Sequence, residues 1–306
     1  MTAPFERLLV VGLGLLGGSV AWAAKQREVA NHVVGATRSP NARAQALRFG
    51  AVDAIAELDV AGRDADLVVL ATPVGAMPRV LESLAPSLGA GCLVTDVGSV
   101  KGPLVETLPG ILPPGAQFVG SHPMAGGHET GMEHARPDLL DGAVCVVTEA
   151  DGEATARVAG FWEALGAQVV RRGPAAHDAE VAWISHLPHL LAYAYAASLE
   201  KAPGAAAEVA GAGFRDFSRI ARSDPGLWAD ILSQNHKALA APVAATGQAL
   251  EDLARALEAG DAEALFRLLS AARSHLFPAP LLEEPAAGSD VPNAARARGD
   301  STETPK

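Results

Sequence analysis

Apolar and polar residues follow two different periods along the first half of the chain. Short apolar runs of three to five residues, rich in Val and Leu, predict strands at 8–11, 32–35, 67–71, 92–96, 117–121, 144–148 and 168–170. Segments between these runs place apolar residues at helical spacing and predict helices at 17–26, 41–49 and 78–85. Because strands and helices alternate, we expect right-handed crossovers and a mostly parallel, doubly wound α/β sheet.

The pattern changes at Gly173 and Pro174, which interrupt it. Beyond them no run predicts a strand, and residues 175–199 and 246–269 are rich in Ala and Leu with helical periodicity. The last residues are rich in Pro, Ala, Gly and charge, and they lack periodic apolar positions, which is typical of disorder. We therefore expect an α/β domain at 1–173, an all-α domain at 174–278 and a disordered tail at 279–306.

A glycine motif directly follows the first predicted strand, where residues 12–19 read GLGLLGGS. In this G-x-G-x-x-G pattern Gly12 would permit a tight turn, Gly14 a close approach to a pyrophosphate, and Gly17 close helix–strand packing. The context predicts a Rossmann-type dinucleotide-binding domain, and a glycine turn in another α/β protein is the alternative. The predicted cofactor-binding residues of this region are Gly12, Leu13, Gly14, Leu15, Leu16, Gly17, Thr72 and Pro73.

The end of the second predicted strand bears on the choice between NAD and NADP. An acidic residue there binds the adenosine ribose and repels a 2′-phosphate. This chain has Thr37, Arg38 and Ser39 instead, so a 2′-phosphate could pair with the guanidinium and accept hydrogen bonds from the hydroxyls. We expect NADP to be accepted and preferred; the alternative is that Arg38 is an ordinary solvated charge and NAD is used.

Composition narrows the class of protein. The formal net charge of −11 argues against a nucleic-acid or anionic-membrane surface, and no apolar run reaches the ~20 residues of a membrane span. The first residues lack the features of a secretory signal. Cys92 and Cys145 lie in apolar strand-like runs, which suits buried thiols in a reducing compartment. We expect a cytoplasmic enzyme.

Four further motifs stand in order along the chain: TDVGSVK at 95–101, GSHPMAG at 120–126, SHLPH at 185–189 and GFRDFSRIARSDPGLW at 213–228. With the glycine motif, they make the chain resemble the prephenate/arogenate dehydrogenase family. The resemblance implies oxidative decarboxylation of prephenate or arogenate in tyrosine biosynthesis, with hydride transfer to NAD(P)+. It also implies a homodimer formed through the all-α domain.

The resemblance implies roles for five residues. His122 would be the catalytic base, for which a neutral imidazole is suited near pH 7, and Ser99 would orient it through a hydrogen bond. Arg219, His189 and Ser185 would bind the dicarboxylate substrate, because a guanidinium can hold a carboxylate through two hydrogen bonds. A structural histidine at 122 and a solvated surface charge at 219 are the alternatives.

The chain departs from many relatives after HPMAG, where Gly127 and His128 replace a hydroxyl residue and a glutamate. Glu129 is one position out of register, so the choice between prephenate and arogenate stays open. His186 and His189 have a possible metal-binding spacing, but no partner ligand supports a metal, and we expect none. Trp228 is predicted to pack in the core.

Two other functions remain as alternatives. A β-hydroxyacid or imine-reducing dehydrogenase would usually use a lysine of the all-α domain, and only Lys201 and Lys237 occur there, outside a comparable motif. A protein that senses NADP(H) without turnover would be expected to lose the base or the substrate arginine.

Overall fold

The computed structural model describes residues 5–127, 129–148 and 152–276. The packing of Cα atoms separates Met1–Ala245 from Thr246–Lys306. The division that we predict at 173/174 stays a prediction, and the tail predicted at 279–306 lies outside the described residues. In the described part of the chain, no helix is both long enough and apolar enough to cross a membrane.

A six-stranded parallel sheet forms the centre of the first unit, in the order β3-β2-β1-β4-β5-β6. Its strands are β1 (Phe5–Val11), β2 (Ala30–Ala36), β3 (Ala54–Ile55), β4 (Leu67–Leu70), β5 (Leu93–Asp96) and β6 (Gln117–Phe118). The strand order reverses between β1 and β4, which opens a crevice at their carboxyl ends. The predicted Rossmann-type fold is therefore confirmed, and β3 was missed because it has only two residues.

A second sheet of three strands follows, formed by β7 (Ser121–Pro123), β8 (Val144–Thr148) and β9 (Gln168–Arg172). β7 is antiparallel to β8, and β8 is parallel to β9. The prediction of one strand at 117–121 was wrong, because the chain leaves the first sheet at Val119 and enters the second at Ser121. Gly120 makes this change of sheet: its carbonyl accepts hydrogen bonds from the amide and hydroxyl of Thr148, at 2.8 and 3.1 Å.

Helices connect and cover the strands. They are α1 (Leu15–Gln26), α2 (Pro40–Arg48), α3 (Leu58–Ala61), α4 (Met77–Leu84), α5 (Gly102–Thr107), α6 (Glu153–Ala164), α7 (Pro174–Val181), α8 (Leu187–Ser198), α9 (Ala212–Arg219), α10 (Pro225–Gln234), α11 (His236–Glu258) and α12 (Ala262–Ser274). A π-helical turn, Ala182–His186, joins α7 to α8. The helical stretch predicted at 246–269 is broken, because Gly260 has a φ of +63° and Asp261 caps α12.

The two faces of the six-stranded sheet bury separate apolar clusters, because neighbouring residues of a strand point to opposite faces. Leu8 and Val10 of β1 lie in one cluster, and Leu9 and Val11 lie in the other. Trp228 of α10 belongs to the second cluster. The all-α segment that ends the first unit is thus packed against the sheet, close to the ends of β4 and β5.

Candidate functional site

The glycine loop lies at the carboxyl end of β1. Gly12 has a φ of +99°, and a Cβ here would overlap the carbonyl oxygen of Ala71. A Cβ at Gly17 would overlap the carbonyl oxygen of Gly12, so close backbone packing requires glycine at both positions. Gly14, which directly precedes α1, has no atom within 4 Å of the place that a Cβ would take. The loop therefore leaves open space beside the N-terminal amides of α1, an arrangement that suits a diphosphate.

A cleft of about 1140 Å³ opens at this edge of the sheet. The predicted cofactor residues that line it are Gly12, Leu13, Gly14, Thr37, Arg38, Ser39, Thr72 and Pro73. The other three, Leu15, Leu16 and Gly17, form the first turn of α1. The structure thus places the loops that follow β1, β2 and β4 around one cleft of cofactor size.

The end of the cleft beside β2 carries cationic and hydroxyl groups. Arg38 is exposed on its wall, and Ser39 caps α2 by accepting a hydrogen bond from the amide of Ala42 at 3.2 Å. Glu57 also lines the cleft, but Arg43 binds both oxygens of this carboxylate. Hydrogen bonding to Arg43 holds the pKa of Glu57 below its usual range. The charge that would repel a phosphate here is therefore paired with a guanidinium.

His122 lies in β7, beside the end of β5, and is only 7% exposed. Its Nδ1 is 2.9 Å from Nε2 of His177 in α7. Within residues 5–127, 129–148 and 152–276, no hydrogen bond engages Nε2 of His122. Burial, with the charges of His177, Lys101 and His186, lowers the pKa of His122 well below its ordinary value of 6.5. Nε2 is therefore the nitrogen left for a substrate, on a ring that stays neutral.

Asp178 stands behind His177. Its Oδ1 is 2.8 Å from Nδ1 of His177 and accepts a hydrogen bond of 2.8 Å from the amide of Lys101. Its Oδ2 accepts the amide of Gly102, also at 2.8 Å. Burial raises the pKa of Asp178, but the hydrogen bonds from His177 and the two amides outweigh it and lower the pKa below the usual range. Asp178 is therefore an ionised carboxylate with three donors.

Ser99 does not form the predicted hydrogen bond with His122 in the structure, where His177 engages the ring instead. Ser99 is half-buried in the loop after β5, and its orienting role stays a prediction. The loop is held by a fully buried ion pair between Asp96 and Lys101. Asp96 also accepts the amide of Ser121 at 3.0 Å, and Lys101 donates to the carbonyl of Ser121 at 2.6 Å. The pair thus ties β5 to β7, the strand that carries the candidate base.

Ser185, His189 and Arg219 come from the helical segment of the first unit. His189 Nδ1 is 2.9 Å from the carbonyl oxygen of Ser185, and its ring stacks on Trp228 with centroids 3.5 Å apart. Burial and the positive charge of Arg219 lower the pKa of His189. Arg219 ends α9 and is exposed. Trp228 is therefore buried, as predicted, and also supports one face of His189.

Asn235 connects the side chains around His122 with those around Trp228. Its side-chain amide donates to the carbonyl of Asp178 at 2.8 Å and lies 2.9 Å from Nδ1 of His186, whose ring meets Trp228 edge to face. Five buried polar residues of this region have no role predicted from the sequence: Asp96, Lys101, His177, Asp178 and Asn235. The signal that could have found them is a charged or polar side chain at a buried position of a strand end or helix, which needs a partner.

The departure from the family pattern after HPMAG is only partly visible, because His128 lies outside the described residues. Glu129 Oε2 is 3.4 Å from Nδ1 of His134. In the ranges that the structure describes, no group of three or more His, Cys, Asp or Glu side chains is arranged to hold a metal ion.

Two family models match the chain along most of its length. "Prephenate dehydrogenase, nucleotide-binding domain" matches residues 20–171, and "Prephenate dehydrogenase, dimerization domain" matches residues 173–271. Prephenate dehydrogenase of Bacillus subtilis is 33% identical over 287 residues, which are 91% of this chain and 77% of that protein. Cyclohexadienyl dehydrogenase of Zymomonas mobilis is 33% identical over 77% of this chain and 83% of its own length.

A solved structure shows the same fold. Prephenate dehydrogenase from A. aeolicus, in complex with hydroxyphenyl propionate and NAD+, aligns with a TM-score of 0.80 and 29% identity. The alignment covers 88% of this chain and 96% of that one. The chain therefore belongs to the prephenate dehydrogenase family, the NAD(P)-dependent oxidoreductases that oxidatively decarboxylate prephenate or arogenate in tyrosine biosynthesis.

Proposed function

We propose that this protein oxidatively decarboxylates prephenate or arogenate, with NADP+ preferred to NAD+, and that His122 is the base. The observation that carries the proposal is the state of this imidazole: Nδ1 is held by His177, and Nε2, beside the end of β5, has no hydrogen-bond partner among the residues that the structure describes. The burial that lowers the pKa of His122 keeps the ring neutral near pH 7, as a base requires.

The reaction requires the protein to take one proton from the substrate and to return it to the product. The substrate C4–OH gives its proton to Nε2 of His122, and the O–H electron pair becomes the C=O bond. A nicotinamide bound in the cleft supplies the acceptor for the hydride that leaves C4. The bond between C1 and the ring carboxylate then breaks, CO2 leaves, and its electron pair makes the ring aromatic. The resulting phenolate takes the proton back from His122, so no net proton is consumed or released.

We further propose that Arg219, His189 and Ser185 bind the substrate. The Ser185 carbonyl fixes His189 with a proton on Nδ1, which leaves Nε2 free to accept a hydrogen bond. Arg219 is close enough for its charge to act on His189, and a guanidinium suits a carboxylate. A dicarboxylate substrate would then have a cation on the helical side and the base on the sheet side.

The preference for NADP rests on the exposed guanidinium of Arg38 in the cleft wall and on the pairing of Glu57 with Arg43. The hydroxyls of Thr37 and Ser39 lie in the same wall. A 2′-phosphate would meet one free cation and no unpaired carboxylate among these residues, whereas NAD would leave Arg38 without a partner.

We also propose a cytoplasmic homodimer. The match of residues 173–271 to a dimerization domain supports the dimer. Cys92 and Cys145 are free and buried, and burial raises the pKa of Cys92 to about 12, so these thiols are suited to a reducing compartment.

Steady-state kinetics with prephenate and arogenate, each with NAD+ and NADP+, test the function. We expect turnover of at least one substrate and a higher kcat/KM with NADP+. His122→Asn should lose turnover by about 10²- to 10⁴-fold and keep its affinity for the cofactor. Near-normal activity of this variant would remove His122 from the reaction, and no turnover of either substrate would favour another Rossmann dehydrogenase or a sensor.

A further inference from the structure

We infer that His177 and Asp178 are a positioning pair for His122: they fix its proton on Nδ1, leave the lone pair on Nε2, and stabilise the positive charge that forms on the ring. This inference rests on the proposed role of His122 as the base. It gives a role to two buried side chains of α7 that lie 55 and 56 positions further along the chain, outside both the glycine loop and the motifs that carry the predicted substrate residues.

The direction of each hydrogen bond follows from Asp178, the last residue in the series His122, His177, Asp178. Asp178 accepts the amides of Lys101 and Gly102, so it is ionised and can only accept. His177 must therefore place its proton on Nδ1, facing Asp178. Because a neutral imidazole has one donor and one acceptor, Nε2 of His177 is then an acceptor. His122 must donate to it from Nδ1, and its Nε2 carries the lone pair.

The same contacts can hold the proton that His122 takes from the substrate hydroxyl. When Nε2 of His122 takes the proton of the substrate hydroxyl, the ring becomes cationic inside a buried site. The Nδ1 proton can then shift to Nε2 of His177 over 2.9 Å, which leaves His122 neutral and forms a His177 imidazolium next to the Asp178 carboxylate. The reverse shift returns the proton to the phenolate. No solvent proton and no additional reactant is needed.

The other charged and titratable groups around His122 are not placed to balance the positive charge that forms during the reaction. They are Asp96 of β5, Lys101 of the following loop, Cys145 of β8 and His186 of the π-helical turn. Asp96 is already paired with Lys101, and the charge of Lys101 opposes a second positive charge nearby. Burial lowers the pKa of His186 to about 4, so this ring is not suited to take up a proton. Asp178 is thus the carboxylate placed to balance the positive charge.

Nitrogen-15 NMR of the histidines in the full chain tests the tautomers directly. We expect His122 and His177 each to show a protonated Nδ1 and an unprotonated Nε2, with assignments made from His122→Asn and His177→Gln. A proton on Nε2 of neutral His122 would overturn the inference. This readout does not depend on turnover, so it separates the inference from the proposed function.

Kinetics of three variants test the consequence. Asp178→Asn removes the negative charge that balances the His177 imidazolium and places an amide NH2 where a carboxylate oxygen accepts the backbone amide of Lys101 or Gly102; we expect kcat to fall by about 10²- to 10⁴-fold, as when a triad carboxylate becomes an amide. His177→Leu should lose a similar factor. His177→Gln keeps an acceptor oxygen near the position of Nε2, so we expect a smaller loss. Cofactor affinity should change little in all three.

His32→Gln is the matched control, because this partly exposed histidine lies in β2 and pairs only weakly with Asp53, at 3.7 Å. It should keep the parental kcat. If His122→Asn is inactive while His177→Leu and Asp178→Asn keep their kcat, the positioning role is wrong and the proposed base stands. If a variant fails to fold, the NMR tautomers of the parental chain still decide.

Discussion

At the scale of single residues, the chemistry depends on how each titratable group is surrounded. An isolated histidine is half protonated at its ordinary pKa of 6.5, but His122 is buried, lies near the positive charge of Lys101 and faces a hydrogen-bond acceptor on His177. The proposed base is thereby kept neutral, although the protonation of an ordinary histidine varies near pH 7. Arg38 shows the opposite case, since its exposed charge is available to a ligand.

The pH dependence of kcat/KM should show the lowered pKa of His122. Charging the ring removes the base, and the lowered pKa means that this happens only at pH values below 6.5. We expect kcat/KM to stay level as the pH falls from 8 to 6.5 and to decline below that. An acidic limb centred at or above pH 6.5 would show that the ring is not shielded as the structure indicates.

Replacing Arg38 with alanine should change cofactor choice with little effect on the reaction. Loss of a charge-assisted hydrogen bond to the 2′-phosphate should lower kcat/KM for NADP+ by about 10- to 100-fold, while kcat/KM for NAD+ changes by less than about threefold. The measurement is the ratio of the two constants in the parental chain and in Arg38→Ala. An equal loss with both cofactors would contradict the assignment.

At the scale of elements, β1, its glycine loop and α1 could be predicted because their determinants are close in sequence. A Cβ at Gly17 would overlap the carbonyl oxygen of Gly12, only five positions earlier. The break between α11 and α12 also has local determinants, the positive φ of Gly260 and the helix cap Asp261, but it was not predicted. The split of 117–121 could not be predicted in this way, since it depends on Thr148.

Two matched substitutions in the glycine loop separate folding from binding. Gly17→Ala forces a methyl group against the backbone of Gly12 and should lower the free energy of unfolding by about 2 kcal/mol or more. Gly14→Ala meets open space and should change that free energy by less than about 1 kcal/mol. It should nevertheless weaken dinucleotide binding by about tenfold, because the methyl group occupies the space beside the α1 amides.

Urea unfolding and cofactor titration measure the two effects. Equal destabilisation by the two substitutions would show that the loop packs differently from the structure. Unchanged cofactor affinity in Gly14→Ala would place the diphosphate elsewhere.

At the scale of the whole molecule, the candidate site unites distant parts of the chain, which explains what the sequence could not show. His122 was identified from its motif, yet its partner His177 lies on a helix that begins after β9. Asn235 joins Asp178 to His186 from still further along. Such pairs follow from tertiary packing, whereas periodicity and local motifs report only on near neighbours.

The second unit presents large apolar side chains that a partner subunit should cover. Leu257 of α11 and Phe266 of α12 are 66% and 72% exposed in the single chain. Phe266→Asp should therefore shift the protein from dimer to monomer, because a carboxylate in an apolar interface lacks a partner. Light scattering after size-exclusion chromatography measures this, with Arg267→Gln on the same helix as the control. A dimer that survives Phe266→Asp unchanged would place the interface elsewhere.

The change of sheet at Gly120 has a consequence for how this enzyme could diversify. The residues proposed to select the dinucleotide follow strands of the six-stranded sheet, whereas His122 lies on the separate three-stranded sheet. Asp96 and Lys101 join the two supports. The loop after β2 and the proposed base therefore stand on different sheets, and we expect an exchange of this loop during evolution or engineering to leave the proton-transfer geometry in place.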